Sequence, residues 1–104
     1  MALYMHQWRY KDEQIRRMLE KRADREQIVK VAVEAFGGQL LSFYYTFGDF
    51  DGVAISEFPD PMKALACVLA ISAQGRVTSV RTTPLFSAAD GLNAMKEAGD
   101  AVSG

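Results

Sequence analysis

Four segments of the chain have the two-residue alternation, or the β-branched and aromatic content, that is typical of strands. These segments are residues 2–9, 39–47, 51–58 and 76–86. In the first segment Tyr4, His6 and Trp8 share one face, while Leu3 and Met5 share the other. Because both faces carry apolar groups, we expect this strand to be covered on two sides.

An apolar stripe with helical spacing predicts a helix from about Arg25 to Phe36. Asp24 is a typical N-cap residue, and Gln27 follows it with the spacing of a capping box. The glycines at 37–38 end the stripe. The polar stretch before it, residues 11–26, has only a few apolar residues at helical spacing and predicts a short surface helix or a turn.

A second helical stripe begins at Pro61, directly after Asp60, and ends before Gly75. Asp followed by Pro is a helix start with a side-chain cap and a proline at the first helical position. After the last strand, Ser87 and Asp90 again have capping-box spacing. We therefore expect a C-terminal tail helix, weakened by two glycines, which docks on a neighbouring molecule.

The predicted order is strand, helix, strand, strand, helix, strand, followed by the tail helix. This order is that of an α+β, ferredoxin-like βαββαβ sandwich, and we expect residues 1–104 to form a single domain. Two helices cover only one face of a four-stranded antiparallel sheet, yet the strands are apolar on both faces. A second copy, packed sheet to sheet, is the expected cover and would enclose a pocket.

The charge balance argues against several classes of partner. The chain has 12 Lys and Arg against 13 Asp and Glu, a formal net charge of −1. It therefore lacks the excess of positive charge that would attract nucleic acids or anionic membranes. The N-terminal segment is too polar for a signal peptide and no stretch is long enough for a membrane span, so we expect a cytoplasmic location.

Neither metal nor cofactor binding has a motif in the sequence, and we expect none of either. His6 is the only histidine and has no neighbour at ligand spacing. The single cysteine, Cys67, lies in an apolar run and is interpreted as a buried hydrophobe. The basic residues of 16–25 alternate with acidic ones, which is typical of a solvated helical face. Those basic residues are Arg16, Arg17, Lys21, Arg22 and Arg25.

His6, Tyr44 and Arg81 are the candidate catalytic residues. The His6 imidazole could serve as a general base, or as an axial ligand if haem were bound, although a packed or interface histidine is the more common case. Tyr44 shares a strand face with Ser42 and Thr46, and we favour a hydroxyl that caps a core pocket. Arg81 lies in the last strand, where it could hold an anionic ligand; we favour pairing with Glu57 or Asp51. With Trp8 added, the candidate ligand-binding residues are His6, Trp8, Ser42, Tyr44 and Arg81.

Residues spread over most of the chain together carry a resemblance to a known family. They are Tyr10, Asp12, residues 21–24, 37–38, 42–44, Thr46, Gly48, Asp51, residues 53–55, Glu57 and residues 59–60. These stretches resemble the GYD domain family, a group of mostly uncharacterised bacterial proteins. The resemblance implies a dimeric α/β barrel and carries no agreed activity. Where the family has an aromatic residue, usually Tyr, before Asp, this chain has Phe50 before Asp51, so the phenol hydroxyl is absent. We interpret Gly48 and Asp51 as turn residues.

Three functions from different classes are compatible with these features. The first is a small homo-oligomeric protein that binds a small, partly aromatic molecule between paired sheets. The second is an enzyme like the cofactor-independent monooxygenases and isomerases of this fold, in which His6, Tyr44 or Arg81 acts on an aromatic substrate. The third, an RNA-binding module, is disfavoured because residues 51–58 lack the basic residue and spaced aromatics it needs.

Overall fold

The structure is a computed structural model in which residues 1–103 are described. The elements are β1 (Ala2–Tyr10), α1 (Asp12–Glu20), α2 (Arg25–Ala35), β2 (Gln39–Tyr45), β3 (Gly52–Phe58), α3 (Pro61–Ala73), β4 (Val77–Leu85) and α4 (Ala88–Ser103). The predicted βαββαβ order with a C-terminal helix is therefore confirmed, and the stretch before α2 contains a nine-residue helix.

The four strands form one antiparallel sheet in the order β2-β3-β1-β4. β1 and β3 are central, and β2 and β4 are the edges. Pro84 lies on β4 opposite Tyr4, which confirms the edge position that proline predicts. Arg81 also lies on this edge strand, where water can reach it without the ion pair that a central strand would require.

Side-chain caps begin the helices at the predicted positions. The Asp24 carboxylate accepts a hydrogen bond from the Gln27 backbone N–H (3.2 Å), and Asp60 accepts one from that of Lys63 (3.0 Å). Ser87 Oγ accepts one from the Asp90 N–H at 3.0 Å. Each cap satisfies a donor that would otherwise lack an intrahelical partner.

β2 and α4 differ most from the predicted elements, and the other bounds lie within one residue of the predicted ones. β2 ends at Tyr45, two residues early, and beyond it the Phe47 side chain is 96% exposed. One further bond of the ladder type, from the Thr46 N–H to the Asp51 carbonyl (2.9 Å), closes the start of the hairpin loop. α4 runs unbroken through Gly91 and Gly99, since both lie in open space where their low helix propensity costs only about 1 kcal/mol each.

α2 and α3 pack against one face of the sheet and bury the core. One cluster joins Tyr4 and Phe58 to Val33 of α2 and Cys67 of α3; the other contains Trp8, Tyr10 and Ala54. Residues of β3 alternate strictly between buried and half-buried. The alternation shows that one face is covered by helices while the other has no cover from residues 1–103, and pairing with a second copy stays a prediction.

α4 extends away from the rest of the molecule. It contains no buried residue, and Met95 is 71% exposed. The radius of gyration is 16.5 Å, whereas a compact chain of this length has about 13 Å. No helix among residues 1–103 is long and apolar enough to cross a membrane.

Candidate ligand cavity

His6 faces the helices, as do its neighbours at even positions of β1. The register places His6 between Ala54 of β3 and Thr82 of β4. Side chains at paired positions point to the same face of a sheet, and Ala54 is 1% exposed beneath the helices. His6 and Trp8 are thus inside the molecule, between sheet and helices.

Two hydroxyls from the flanking strands hold the imidazole of His6. Its Nε2 lies 2.6 Å from Ser56 Oγ, and its Nδ1 lies 3.0 Å from Thr82 Oγ1. A neutral imidazole donates through one nitrogen and accepts through the other, and a hydroxyl can take either role. The ring is therefore fixed in place whichever tautomer it adopts.

Burial lowers the pKa of His6 from 6.5 to about 4. The cause is desolvation, which disfavours the imidazolium, and no carboxylate bonds to either ring nitrogen. At neutral pH His6 is therefore uncharged. It supplies a polar surface within the core and not a positive charge.

A cavity of about 70 Å³ lies beside His6, between the sheet and helices α2 and α3. We call it the His6 cavity. Its lining consists of His6, Trp8, Tyr10, Arg25, Val29, Val33, Leu40, Ala54, Cys67, Val68, Ile71, Gln74, Arg76, Val77 and Val80. The most buried of these residues, such as Val33, Ala54 and Cys67, form the floor, and the exposed Gln74 and Arg76 mark the mouth. Valine, isoleucine and aromatic groups make the lining mainly apolar.

The Trp8 indole fits at the floor of the cavity because the neighbouring Gly52 has no side chain. A Cβ on Gly52 would overlap the Trp8 indole ring. On its other sides the indole contacts the Phe43 ring at 5.5 Å and the Tyr10 ring at 6.3 Å between centroids. Trp8 is the only tryptophan of the chain and is 8% exposed, so tryptophan fluorescence comes from a single buried site that lines the cavity.

Arg25 is a cavity residue that the sequence interpretation missed. Its guanidinium carbon lies 5.9 Å from the centroid of the Tyr10 ring, a cation–π distance. It thus departs from the solvated helical face assigned to the basic cluster, whereas Arg17 does form a surface pair with Glu13 (3.9 Å). Alternating charges hid this residue, and only its place at the first turn of α2, ahead of the apolar stripe, hints at a position over the core.

Cys67 is buried in the floor, which confirms its interpretation as a small hydrophobe. Desolvation raises the pKa of its thiol to about 11, so the reactive thiolate is scarce at neutral pH. Its Sγ lies 4.0 Å from the Ala32 carbonyl oxygen.

Ser42, Tyr44 and Arg81 lie on the opposite side of the sheet, which we call the open face. Odd positions of β1 and β3 define this face, since Gln7 pairs with Arg81 and Val53 with Tyr44. The apolar members of the open face are Leu3, Met5, Val53, Ile55 and Leu85. Tyr44 is 63% exposed there, so the interpretation that it caps a core pocket is wrong.

The five predicted ligand-binding residues therefore divide between two sides of the sheet. His6 and Trp8 line the cavity, whereas Ser42, Tyr44 and Arg81 face away from it. For the same reason the three candidate catalytic residues do not converge within one chain. Their roles stay predictions.

Arg81 makes a contact that differs from the expected ion pair. Its guanidinium carbon lies 5.4 Å from the centroid of the Phe50 ring, and neither Glu57 nor Asp51 forms a salt bridge with it. The cation–π attraction uses the ring face and not a phenol hydroxyl. Phenylalanine at this position therefore retains the contact that a tyrosine ring would provide.

The hairpin loop between β2 and β3 is tied to the end of β1. The Arg9 guanidinium donates to the carbonyls of Gly48 and Asp49, each at 2.9 Å. The Asp51 carboxylate accepts from the Tyr10 N–H (2.8 Å), where the β1–β4 register shifts. Gly48 has a φ of +113°, which only glycine adopts without strain. The positive-φ turn role of Gly48 is confirmed, whereas the expected bond from Asp51 to its own loop backbone is wrong, because its carboxylate bonds to β1.

No group of three or more His, Cys, Asp or Glu side chains suited to a metal ion is found within residues 1–103. The polar groups among the cavity-lining residues are the His6 imidazole, the Trp8 indole N–H, the Tyr10 hydroxyl, the Gln74 amide and the guanidinium groups of Arg25 and Arg76.

The sheet order and the two covering helices define an α+β protein of the ferredoxin-like class. The GYD domain family matches residues 4–95. The chain belongs to this family, which confirms the resemblance found in the sequence. No curated protein matches the chain.

Solved structures share the fold at low sequence identity. One is an FFRP chain with a TM-score of 0.59 and 10% identity, where 83% of this chain covers 100% of that one. An AsnC family transcriptional regulator from Agrobacterium tumefaciens has a TM-score of 0.54 and 18% sequence identity. The match covers 83% of this chain and 50% of that one. A hypothetical protein from Pyrococcus horikoshii has a TM-score of 0.54 and 12% sequence identity. The match covers 84% of this chain and 92% of that one. At these identities the likeness concerns the fold alone.

Proposed function

We propose that the chain is a small-molecule-binding domain whose ligand occupies the His6 cavity. The observation that carries the proposal is an apolar cavity of about 70 Å³ beside a fixed, neutral imidazole. Apolar pockets with a few well-placed polar groups are the usual form of small-molecule sites. The ligand site therefore lies under the helices of one chain, and not in the space between sheets that the sequence suggested.

The size and lining of the cavity limit the ligand. An engineered apolar cavity of about 150 Å³ binds benzene, and the His6 cavity is smaller, although it opens to solvent at Gln74 and Arg76. We expect a short alkyl chain or a single ring. Trp8 and Tyr10 favour the ring, because aromatic pairs gain about 0.5–1.5 kcal/mol beyond their buried area.

Trp8 fluorescence tests this function directly. We expect hexanoate, hexanamide, benzoate or benzamide to change the emission excited at 295 nm, saturably, in the wild-type protein. Val68→Phe, which fills the cavity from α3, should abolish the change. Leu65→Phe, on the exposed side of the same helix, should leave it intact. No response to any of the four compounds, with circular dichroism showing folded protein, would contradict the function.

We further propose that two copies pair through the open face. The accessible surface is 7201 Å², whereas a compact protein of 11.5 kDa exposes about 5,800 Å². Part of the difference comes from α4, and part from half-buried Val53 and Ile55 on the central strand β3. Association would bury these side chains.

Light scattering coupled to gel filtration tests the pairing. Wild type should have twice the chain mass at micromolar concentration, and Ile55→Glu should have the mass of one chain. Leu69→Glu, which places the same charge on the exposed side of α3, should stay dimeric. A monomeric wild type would exclude the pairing and leave the cavity function untouched.

A further inference from the structure

The charged residues that line the His6 cavity are all cationic. Two of its lining residues are arginines, Arg25 and Arg76, and none of the lining residues is an Asp or Glu. The floor is uncharged, since burial keeps His6 neutral. The cavity is therefore apolar inside and cationic at its entrance.

Arg25 contains a donor that lacks an acceptor. Its Nε is buried and has no hydrogen-bond partner within residues 1–103. Leaving a buried donor unpaired costs about 1–3 kcal/mol, and more when the group is charged. The guanidinium carbon lies 5.9 Å from the centroid of the Tyr10 ring, so the unpaired Nε–H belongs to a side chain that contacts a cavity-lining residue.

A guanidinium presents Nε–H and Nη–H as a fork that matches the two oxygens of a carboxylate. An apolar lining, in turn, requires a ligand with an apolar body. We infer that the His6 cavity takes a small monocarboxylate, with its alkyl or single-ring body against Trp8 and its carboxylate paired to Arg25. The inference rests on the proposed function of the same cavity and names the class of its ligand.

Pairs of ligands that share an apolar part and differ only in carboxylate or amide test the contribution of the ligand's charge. In titrations followed by Trp8 fluorescence, hexanoate and benzoate should bind at least tenfold more tightly than hexanamide and benzamide. Arg25→Gln should lower carboxylate affinity to that of the amides and leave amide affinity unchanged. Arg16→Gln, which changes the net charge equally on the exposed side of α1, should behave as wild type. Arg25→Lys, which keeps the charge and loses the fork, should bind carboxylates with intermediate affinity.

Each other outcome overturns the inference in a recognisable way. Equal affinity for carboxylates and amides, with loss of both in Val68→Phe, would leave the binding function standing and exclude the carboxylate. Competition by inorganic phosphate as strong as that by hexanoate would show an anion site without an apolar specificity. No response to any probe would overturn both proposals. If Arg25→Gln does not fold by circular dichroism, Arg25→Lys and the amide comparison in wild type decide.

Discussion

The two faces of the sheet are built by the same strands and have opposite properties. On β3, the even positions Ala54, Ser56 and Phe58 are buried under helices, while Val53 and Ile55 between them are half-buried. The helix face contains the cavity and the ordered polar contacts of His6. The open face contains aliphatic groups and the exposed Tyr44. One strand thus contributes to a packed core with a cavity on one side and to an uncovered apolar surface on the other.

The largest expected difference between the faces is in side-chain truncation. Phe58 is 0% exposed, and Phe58→Ala should lower the free energy of unfolding by about 3–5 kcal/mol. Ile55→Ala, on the open face, should cost about 0.8–1.5 kcal/mol in dilute protein, half the transfer energy of a fully buried side chain. Urea unfolding measures both. Equal costs at low protein concentration would show that the open face is buried within the monomer.

Acid should weaken the helix face through His6. In the unfolded chain its pKa is near 6.5, and in the folded chain burial lowers it to about 4. Above pH 6.5 the imidazole is neutral in both states and contributes nothing. As pH falls from 6.5 towards 4, only the unfolded chain binds the proton, so unfolding becomes easier by at most about 3 kcal/mol.

Urea unfolding between pH 7 and 4.5 measures this loss. His6→Gln removes the only histidine, so its stability should vary less with pH than that of wild type. The same slope in both proteins would show that carboxylates, and not His6, cause the dependence.

A single added methyl group should distinguish the two faces. Gly52→Ala places a Cβ against the Trp8 ring and should cost about 1–3 kcal/mol through overpacking, with a shift in Trp8 emission. Val53→Ala, one residue later and facing the other side, should leave the emission unchanged. An unshifted spectrum for Gly52→Ala would mean that the indole does not lie over Gly52.

The smallest effect should follow from Phe50→Tyr, which restores the residue usual in the family. Arg81 contacts the ring face, so the added hydroxyl should change the free energy of unfolding by less than about 0.5 kcal/mol. Phe50→Leu removes the ring and should cost about 0.5–1 kcal/mol. A gain of more than 1 kcal/mol in Phe50→Tyr would reveal a partner for the hydroxyl.

Local signals predicted most of the fold. Asp24, Asp60 and Ser87 were found from their types and spacing because a cap acts within three residues. Alternation placed Tyr4, His6 and Trp8 on one face, and the same alternation placed Leu3 and Met5 on the other. Which face the helices cover was not predictable, because both sets of residues are apolar. Alternation separates the two faces of a strand but does not tell which of them is buried.

The cavity was not predictable for a related reason. Its walls come from four strands and two helices, and its volume depends on how Val33 and Cys67 pack across the gap. Arg25 was missed because it sits among surface charges whose spacing is that of a solvated helix. Only tertiary packing distinguishes it from Arg16.

The outward course of α4 has a consequence for hydrodynamic work. With principal extents of 61 × 29 × 20 Å, a single chain diffuses more slowly than a sphere of its mass and elutes early from a sizing column. Its retention volume will imitate that of a larger, rounder particle. A shortened chain that ends before Ala88 should move to later elution by more than its lost mass explains, because the frictional excess belongs to this helix.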